Sequence, residues 1–446
     1  MALRRSIVVI TVSAFGILFL SAGNLMAGGF MLEAQGARGL GNAWAGGAAA
    51  VEDASTIYSN PAGMTRLPGS QIDASGFIVK PYVKFDNKDS TTSPVVGGAP
   101  LSGGNGGDAG TWGFFPNLYY SQQITDKLYA GIGFNVPFGL ETEYDRDWVG
   151  RYYGVKSDIY TYNINPNVAY RLVPWLSLGA GFSAQYIDVK YTNAVDFGTI
   201  GAIAGIPGVV PQSLDGFAKL EADDWGWTWN GGILIEPTAN LRFGASYTSD
   251  IDYTLKGDAK ISAPAAAEPI AAAAGLVNTN AKSDVTLPGR AEFGAYWRLH
   301  PKFALMGDIL WTHWSELNET KIELDTGTDI VTTLDWNDTW RYSLGANYYL
   351  NENWTIRAGV AYDETPVSSS KHREPRVPDN NRFWTTVGLG YRFSKSIALD
   401  LAYAHIFVEE GKINKVGLGE DITRGALHGN YDTYGDQIGL QLSMTF

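Results

Sequence analysis

From Tyr434 to Phe446 the even positions read Tyr434, Asp436, Ile438, Leu440, Leu442, Met444 and Phe446, and the odd ones Gly435, Gln437, Gly439, Gln441, Ser443 and Thr445. A period of two, with one greasy and one polar face, is a strand lying between two solvents. The pattern recurs upstream. Leu176, Leu178, Ala180, Phe182, Ala184 and Tyr186 alternate with Ser177, Gly179, Gly181, Ser183 and Gln185, while Ile164, Val168, Tyr170 and Leu172 alternate with Asn163, Asn165, Asn167 and Arg171. Lipid on one side and a polar or ligand-bearing lumen on the other produce such a pattern. For any single segment, the edge strand of a soluble sandwich is the rival reading.

Fourteen such segments are expected, near 69–86, 111–124, 127–140, 157–172, 175–190, 225–236, 239–255, 285–299, 302–315, 335–350, 353–362, 382–393, 396–408 and 432–446. The even count suits a single-chain bacterial barrel. The connections alternate in length: short turns at 124–127, 172–175, 236–240, 299–302, 350–353 and 393–396 separate long stretches near 87–110, 141–156, 191–224, 256–284, 316–334, 363–381 and 409–431. A membrane barrel is built that way, with short periplasmic turns and long outer loops. Closure leaves no unpaired edge facing hydrocarbon. The predicted fold is all-β, a 14-stranded antiparallel transmembrane β-barrel over residues 69–446.

Residues 28–68 are Gly- and Ala-rich but carry Phe30, Leu32, Leu40, Trp44, Ile57 and Tyr58. That is too apolar for a solvated linker, so an N-terminal hatch plugging the lumen is expected. Residues 1–27 have the form of a cleavable secretory signal: Arg4 and Arg5, an apolar run of 14 from Ile7 to Leu20, then a small-residue exit to Ala27. The run is short for a membrane-spanning helix.

Composition narrows the chemistry. With no cysteine, neither a disulfide framework nor a thiolate metal site is possible. A formal charge of −13 argues against nucleic acid, whose phosphates call for a basic patch. Aromatics at 13% and 53 glycines suit a barrel with interfacial girdles and many turns. No phosphate-cradling loop or metal-ligand spacing is present, and no cofactor is expected. His313, two residues from Ser315, is the one pairing that suggests a hydrolase. A histidine among Trp311 and Trp314 more often belongs to an interfacial girdle, and an enzyme is not expected.

Two features stand out as mechanical. Pro137 lies in the strand-like stretch 131–140, where a proline removes a ladder hydrogen bond. It marks either a break in the wall or the strand's outer end. The loop 191–224 is greasy, with Ile203, Ile206, Val209, Val210, Leu214 and Phe217. It either packs a core of its own or forms an apolar groove that takes ligand from outside, with 256–284 as the opposing wall.

The hatch segment contains Gly39-Leu40-Gly41-Asn42-Ala43-Trp44-Ala45-Gly46 and Ser59-Asn60-Pro61-Ala62-Gly63. Farther on come Leu287-Pro288-Gly289-Arg290-Ala291, Trp311-Thr312-His313-Trp314-Ser315, Trp336-Asn337-Asp338-Thr339-Trp340-Arg341, Tyr362-Asp363-Glu364-Thr365-Pro366-Val367 and Pro378-Asp379-Asn380-Asn381-Arg382-Phe383-Trp384. In order and spacing these motifs resemble the long-chain fatty-acid outer-membrane transporter family, the FadL type, which also includes aromatic-hydrocarbon transporters. The resemblance implies a 14-stranded barrel plugged by an N-terminal hatch, with Asn60, Pro61, Ala62 and Gly63 as a hatch motif. It implies a kinked strand beside an opening, so that Asn135, Val136, Pro137, Phe138 and Gly139 border a lateral exit. It also places Phe30 beside bound ligand.

The function expected is passive uptake of hydrophobic small molecules, long-chain fatty acids first and aromatic hydrocarbons as the alternative. A water-filled general porin is the more distant rival. A fatty carboxylate in an apolar pocket needs a cationic partner. Arg171 and Arg242 point inward at the periplasmic end, Lys190 faces lipopolysaccharide phosphates, and Arg151 lies in a loop, so none is clearly placed for it. The expected partners are the ligand, outer-membrane lipid and lipopolysaccharide, and the barrel-assembly machinery through the C-terminal strand ending in Phe446. A monomer is expected.

Overall fold

A computed structural model describes residues 28–446. The signal segment expected over 1–27 lies outside the described residues. Among the described residues, fourteen strands form the wall. β1 is Ser70–Asn87, β2 Gly113–Gln123, and β3 is interrupted, Leu128–Asn135 and Gly139–Glu143. β4 is Lys156–Val173, β5 Leu176–Asp196 and β6 Asp215–Thr238. β7 runs in two pieces, Leu241–Thr248 and Ile251–Ser262, as does β8, Thr279–Leu287 and Arg290–His300. β9 is Phe303–Thr312, continued by Glu319–Leu324, and β10 is Asp329–Thr333 followed by Thr339–Tyr349. β11 is Trp354–Asp363, β12 Arg382–Arg392, β13 Ile397–Val408 with a short extension Gly411–Asn414, and β14 His428–Thr445. Each strand pairs antiparallel with the next, and the sheet closes where β1 meets β14, from Gln71 opposite Thr445 to Asn87 opposite Gly429. Ser70 and Phe446 exchange both backbone hydrogen bonds across this seam, at 3.2 and 2.9 Å.

The alternation read from β14 and β5 has the expected sense. Ile438, Leu440, Leu178 and Phe182 are exposed on the outside, while Gln437, Gln441, Ser177 and Gln185 are buried against the lumen. The upper halves of β4–β8 reverse it. There Asp223, Lys256 and Asp258 are exposed outward, and Ile187, Val189, Ala222, Leu255 and Leu287 are buried inward. A wall that has left hydrocarbon needs a polar outside, so the two faces of one strand exchange character along its length. This is why β5 and β6 extend to Asp196 and back to Asp215, past the limits of 190 and 225 expected from a lipid-facing pattern. Lys190 belongs to this outer ladder and pairs with Glu221 at 3.3 Å.

Residues 28–69 fold inside the barrel. The hatch contains α1, Ala37–Gly41, α2, Thr56–Ser59, and a 3-10 turn, Pro61–Arg66. Leu40, Ile57, Ala62 and Met64 are fully buried. Inward-facing glycines admit it: a Cβ on Gly359 would strike the backbone of Asn42, and one on Gly244 the backbone of Ala48. Gln441 of β14 donates to Asp53 of the hatch at 2.8 Å, and Arg171 donates to the carbonyl of Thr65.

Candidate functional site

The polar-to-apolar switch on the inward face of β4–β8 divides the lumen in two. Its lower part is lined by an amide network in which Asn165 donates to Asn230 and Asn230 to Asn167, each at 3.1 Å. Its upper part is a chamber of about 630 Å³ walled by Ile187, Val189, Leu220, Ala222, Leu255 and Leu287, with Leu334, Trp336 and Phe30 among its further lining.

Phe30 has a ring packed among aromatics from three other places in the chain. Its centroid lies 5.1 Å from Trp314, 6.1 Å from Trp336 and 6.0 Å from Phe138. The preceding backbone is pinned by acids: Gly28 donates to Asp363 at 3.1 Å and Gly29 to Asp379 at 3.0 Å. Asp379 is itself paired with the fully buried Arg382.

β3 breaks at Val136, Pro137 and Phe138. Below the break it pairs with β2 from Leu118 opposite Phe134 to Gln123 opposite Tyr129. Above it, Gly139–Glu143 pairs with β4, Gly139 opposite Tyr160, and leaves β2. Among the described residues, the side of Gly113–Asn117 that faces β3 is therefore without a ladder partner. Proline supplies no N–H, so the ladder cannot run through this point. The hatch takes the vacated place: Leu32 donates to the carbonyl of Pro137 at 2.8 Å, and Gly139 donates to the carbonyl of Phe30 at 3.0 Å. Phe138 turns its N–H to the Thr161 hydroxyl at 2.9 Å. Of the two readings left open by Pro137, the structure shows a break with strand on both sides. The five residues 135–139 sit together at it. Phe30, Met31 and Leu32 lie between this break and the chamber.

The greasy outer segment is distributed differently. Strand β6 already begins at Asp215, so only 197–214 is loop, carrying α3, Phe197–Ile203. Val209 and Leu214 pack with Phe197, Ala267 and Ile270 in a small core shared with α4, Glu268–Ala273. Ile203, Ile206 and Val210 are exposed at the loop. Phe217 lies on β6 under the guanidinium of Arg146, 4.2 Å from the ring centre, at an open groove that Pro264 also lines. These six residues are absent from the chamber lining, whereas Ile200 and Leu276 belong to it. Asn60 anchors the hatch, with its amide donating to Ala48 and Ile233 carbonyls at 2.7 and 2.9 Å and its oxygen accepting from Ala62 at 3.1 Å. His313 bonds Asp250 at 3.1 Å and Glu316 at 3.4 Å and makes no bond to Ser315.

Sequence reasoning overlooked Arg376, in the loop after β11. It lines the chamber and lies 4.6 Å from the centre of the Tyr191 ring. It donates to Ser157 at 3.0 Å and to Asn193 and the Lys156 carbonyl at 3.2 Å. Among the described residues no carboxylate lies within ion-pair distance of it. Burial lowers its guanidinium from the ordinary arginine range to about 10, which leaves it charged at neutral pH. Nothing local in Glu374-Pro375-Arg376-Val377 distinguishes it from a solvated loop arginine.

An aqueous pore requires a continuous polar lumen. This barrel has its lower lumen filled by a hatch and its upper lumen greased, which is the architecture of an outer-membrane transporter for apolar solutes. The chain belongs to the family of outer membrane protein transport proteins (OMPP1/FadL/TodX), whose profile matches residues 18–446. It is 30% identical over 398 residues to a long-chain fatty acid transport protein of Salmonella typhi, spanning 87% of this chain and 89% of that one. A Pseudomonas aeruginosa FadL homologue of known structure aligns with a TM-score of 0.86 at 24% identity, over 94% of this chain and all of that one. The toluene transporter TodX of Pseudomonas putida aligns at 0.67 and 17% identity, covering 93% and 99% of the two chains. Both structural likenesses concern the fold. The protein is thus an outer-membrane member of a transporter family and not an enzyme.

Proposed function

We propose that this barrel takes up long-chain fatty acids passively and releases them sideways through the break in β3. The observation that carries the reading is the apolar chamber with Phe30 in its lining and the Phe30–Leu32 segment bonded into that break. A volume of about 630 Å³ falls within the roughly 300–1,000 Å³ of pockets that enclose a small ligand. Arg376 is the partner for the carboxylate, since a charge-assisted bond offsets the cost of bringing an anion into an apolar site. Lateral exit keeps the chain out of water, where each Å² of apolar surface costs about 25 cal/mol. Ligand first lands on Ile203, Ile206 and Val210, with Val209, Leu214 and Phe217 supporting that surface and Arg146 beside it.

A monoaromatic hydrocarbon is the second reading. Phe30 and Trp336 in the lining, backed by Trp314, favour it, because tilted and edge-to-face ring pairs are worth about 0.5–1.5 kcal/mol beyond their burial. Mass spectrometry of organic extracts from detergent-exchanged protein, followed by competition with oleate and toluene, separates the two. Displacement by oleate supports the fatty-acid reading, and response to toluene alone supports the second. Binding of neither, with ion conductance in planar bilayers, overturns both in favour of a porin.

The barrel acts as a monomer, its closed sheet offering no edge to a second copy. Lipopolysaccharide surrounds the charged outer ladder of β5–β8, and the assembly machinery reads the final strand with its exposed Phe446.

A further inference from the structure

The break in β3 strands backbone groups that a neighbouring strand would have satisfied. Two are met by the hatch backbone, as described. The carbonyl of Val136 is met by a side chain, Gln35 of the hatch, whose Nε2 donates to it at 3.2 Å. The same Nε2 donates to the carbonyl of Leu32 at 3.1 Å. The Gln35 Oε1 accepts from the hydroxyl of Tyr119 on β2 at 2.9 Å. Gln35 is 1% exposed and Tyr119 likewise. Asn163 donates to Asn135 at 3.1 Å, which points its own amide at the Tyr119 oxygen at 3.4 Å. The hydrogen-bonded chain thus crosses from Asn135 to Tyr119 of β2, leaves the wall for Gln35 of the hatch and returns to it at Val136.

This position asks for one particular chemistry. Two carbonyls must be met by two N–H donors and one hydroxyl by an acceptor, and a primary amide supplies all three. Glutamate has the length and the acceptor but at most one donor, and only when protonated, and leucine has neither donor nor acceptor. We propose that Gln35 is the positioning residue that couples the hatch to the wall break. It holds Leu32 and Val136 on one amide, so that withdrawal of the Phe30–Leu32 segment frees the wall. The inference rests on the lateral-release reading and adds to it the residue through which ligand in the chamber acts on the exit. Gln35 is not in the chamber lining and touches no ligand there.

The test is hydrogen–deuterium exchange of the full barrel in detergent, with and without saturating oleate, in wild type, Gln35→Glu, Gln35→Leu and Tyr119→Phe. The reporter is the segment 134–140, because the Gly139 amide is bonded to the carbonyl of Phe30. In wild type, oleate accelerates exchange there. In both Gln35 variants the segment exchanges roughly tenfold faster without oleate, as expected for a lost buried bond, and oleate adds little more. Tyr119→Phe, which deletes a hydroxyl and no packing atoms, gives a smaller change of the same kind and serves alone if the Gln35 variants fail to assemble. Oleate binding to the chamber stays near wild type while uptake in cells loses its dependence on ligand occupancy, a split that a general loss of stability would not produce. If wild type responds to oleate and all three variants respond as it does, the coupling role of Gln35 is wrong and lateral release stands. If oleate binds to wild type without altering 134–140, both fall.

Discussion

The N–H of Leu32 donates to the carbonyl of Pro137 at 2.8 Å, so a residue of the hatch stands where a strand of the wall would. The barrel is closed at this point by its own plug, and under the proposed function movement of the plug opens the wall.

Replacing Pro137 by valine restores an N–H and a strand-favouring side chain at the break. A regained ladder bond is worth about 1 kcal/mol, a factor of about five toward a straightened wall. Oleate uptake should fall, while the heat-modifiable gel mobility of the folded barrel is kept. Undiminished uptake would remove Pro137 from the mechanism.

Phe30→Ala removes a buried ring that touches Trp314, Trp336 and Phe138. Emptying a site of this kind costs about 3–5 kcal/mol in a packed core. The loss should be local, because the hatch tip is held by few bonds and the wall by closed ladders. Limited proteolysis should cut within 28–38 in the variant and spare the wild type, and oleate affinity should drop.

Arg376→Met keeps the apolar stem and deletes the charge. A hydrogen bond to a charged group is worth about 1.5–3 kcal/mol, so oleate should bind roughly 10- to 100-fold more weakly. Toluene, which has no carboxylate, should be unaffected. Equal losses for both ligands would mean that Arg376 shapes the chamber and does not read the headgroup.

Asn60→Ala deletes an amide that serves the Ala48 and Ile233 carbonyls and the Ala62 N–H. Each buried group left unpaired costs about 1–3 kcal/mol. Calorimetry should show an earlier, smaller transition for the hatch ahead of the barrel's own. A single unshifted transition would show that Asn60 contributes no anchoring.

What could be read in advance depended on how local the cause was. Strand alternation needs only the two solvents on either side of a strand, and so β14, the lower half of β5 and the turn at 172–175 were legible from residue types. Pro137 was legible as an interruption, since its missing N–H is a property of one residue. The upper reaches of β5 and β6 were not. There lipid gives way to water outside and amide gives way to hydrocarbon inside, and a sequence carries no mark of the height at which that exchange occurs.

The sequence by itself determined that this chain closes a barrel in an outer membrane, and that residues 28–68 are too apolar to stay in water. Both follow from transfer of side chains and backbone between solvents, which depends on residue type and spacing. Only the tertiary structure decided that Phe30 meets Trp314 and Trp336, that Arg376 faces the chamber, and that Gln35 reaches the carbonyl of Val136. Those contacts join residues a hundred or more positions apart, and their partners are fixed by the shear and closure of the whole sheet. Neither the spacing nor the composition of the segments that carry them encodes which side chain stands opposite which.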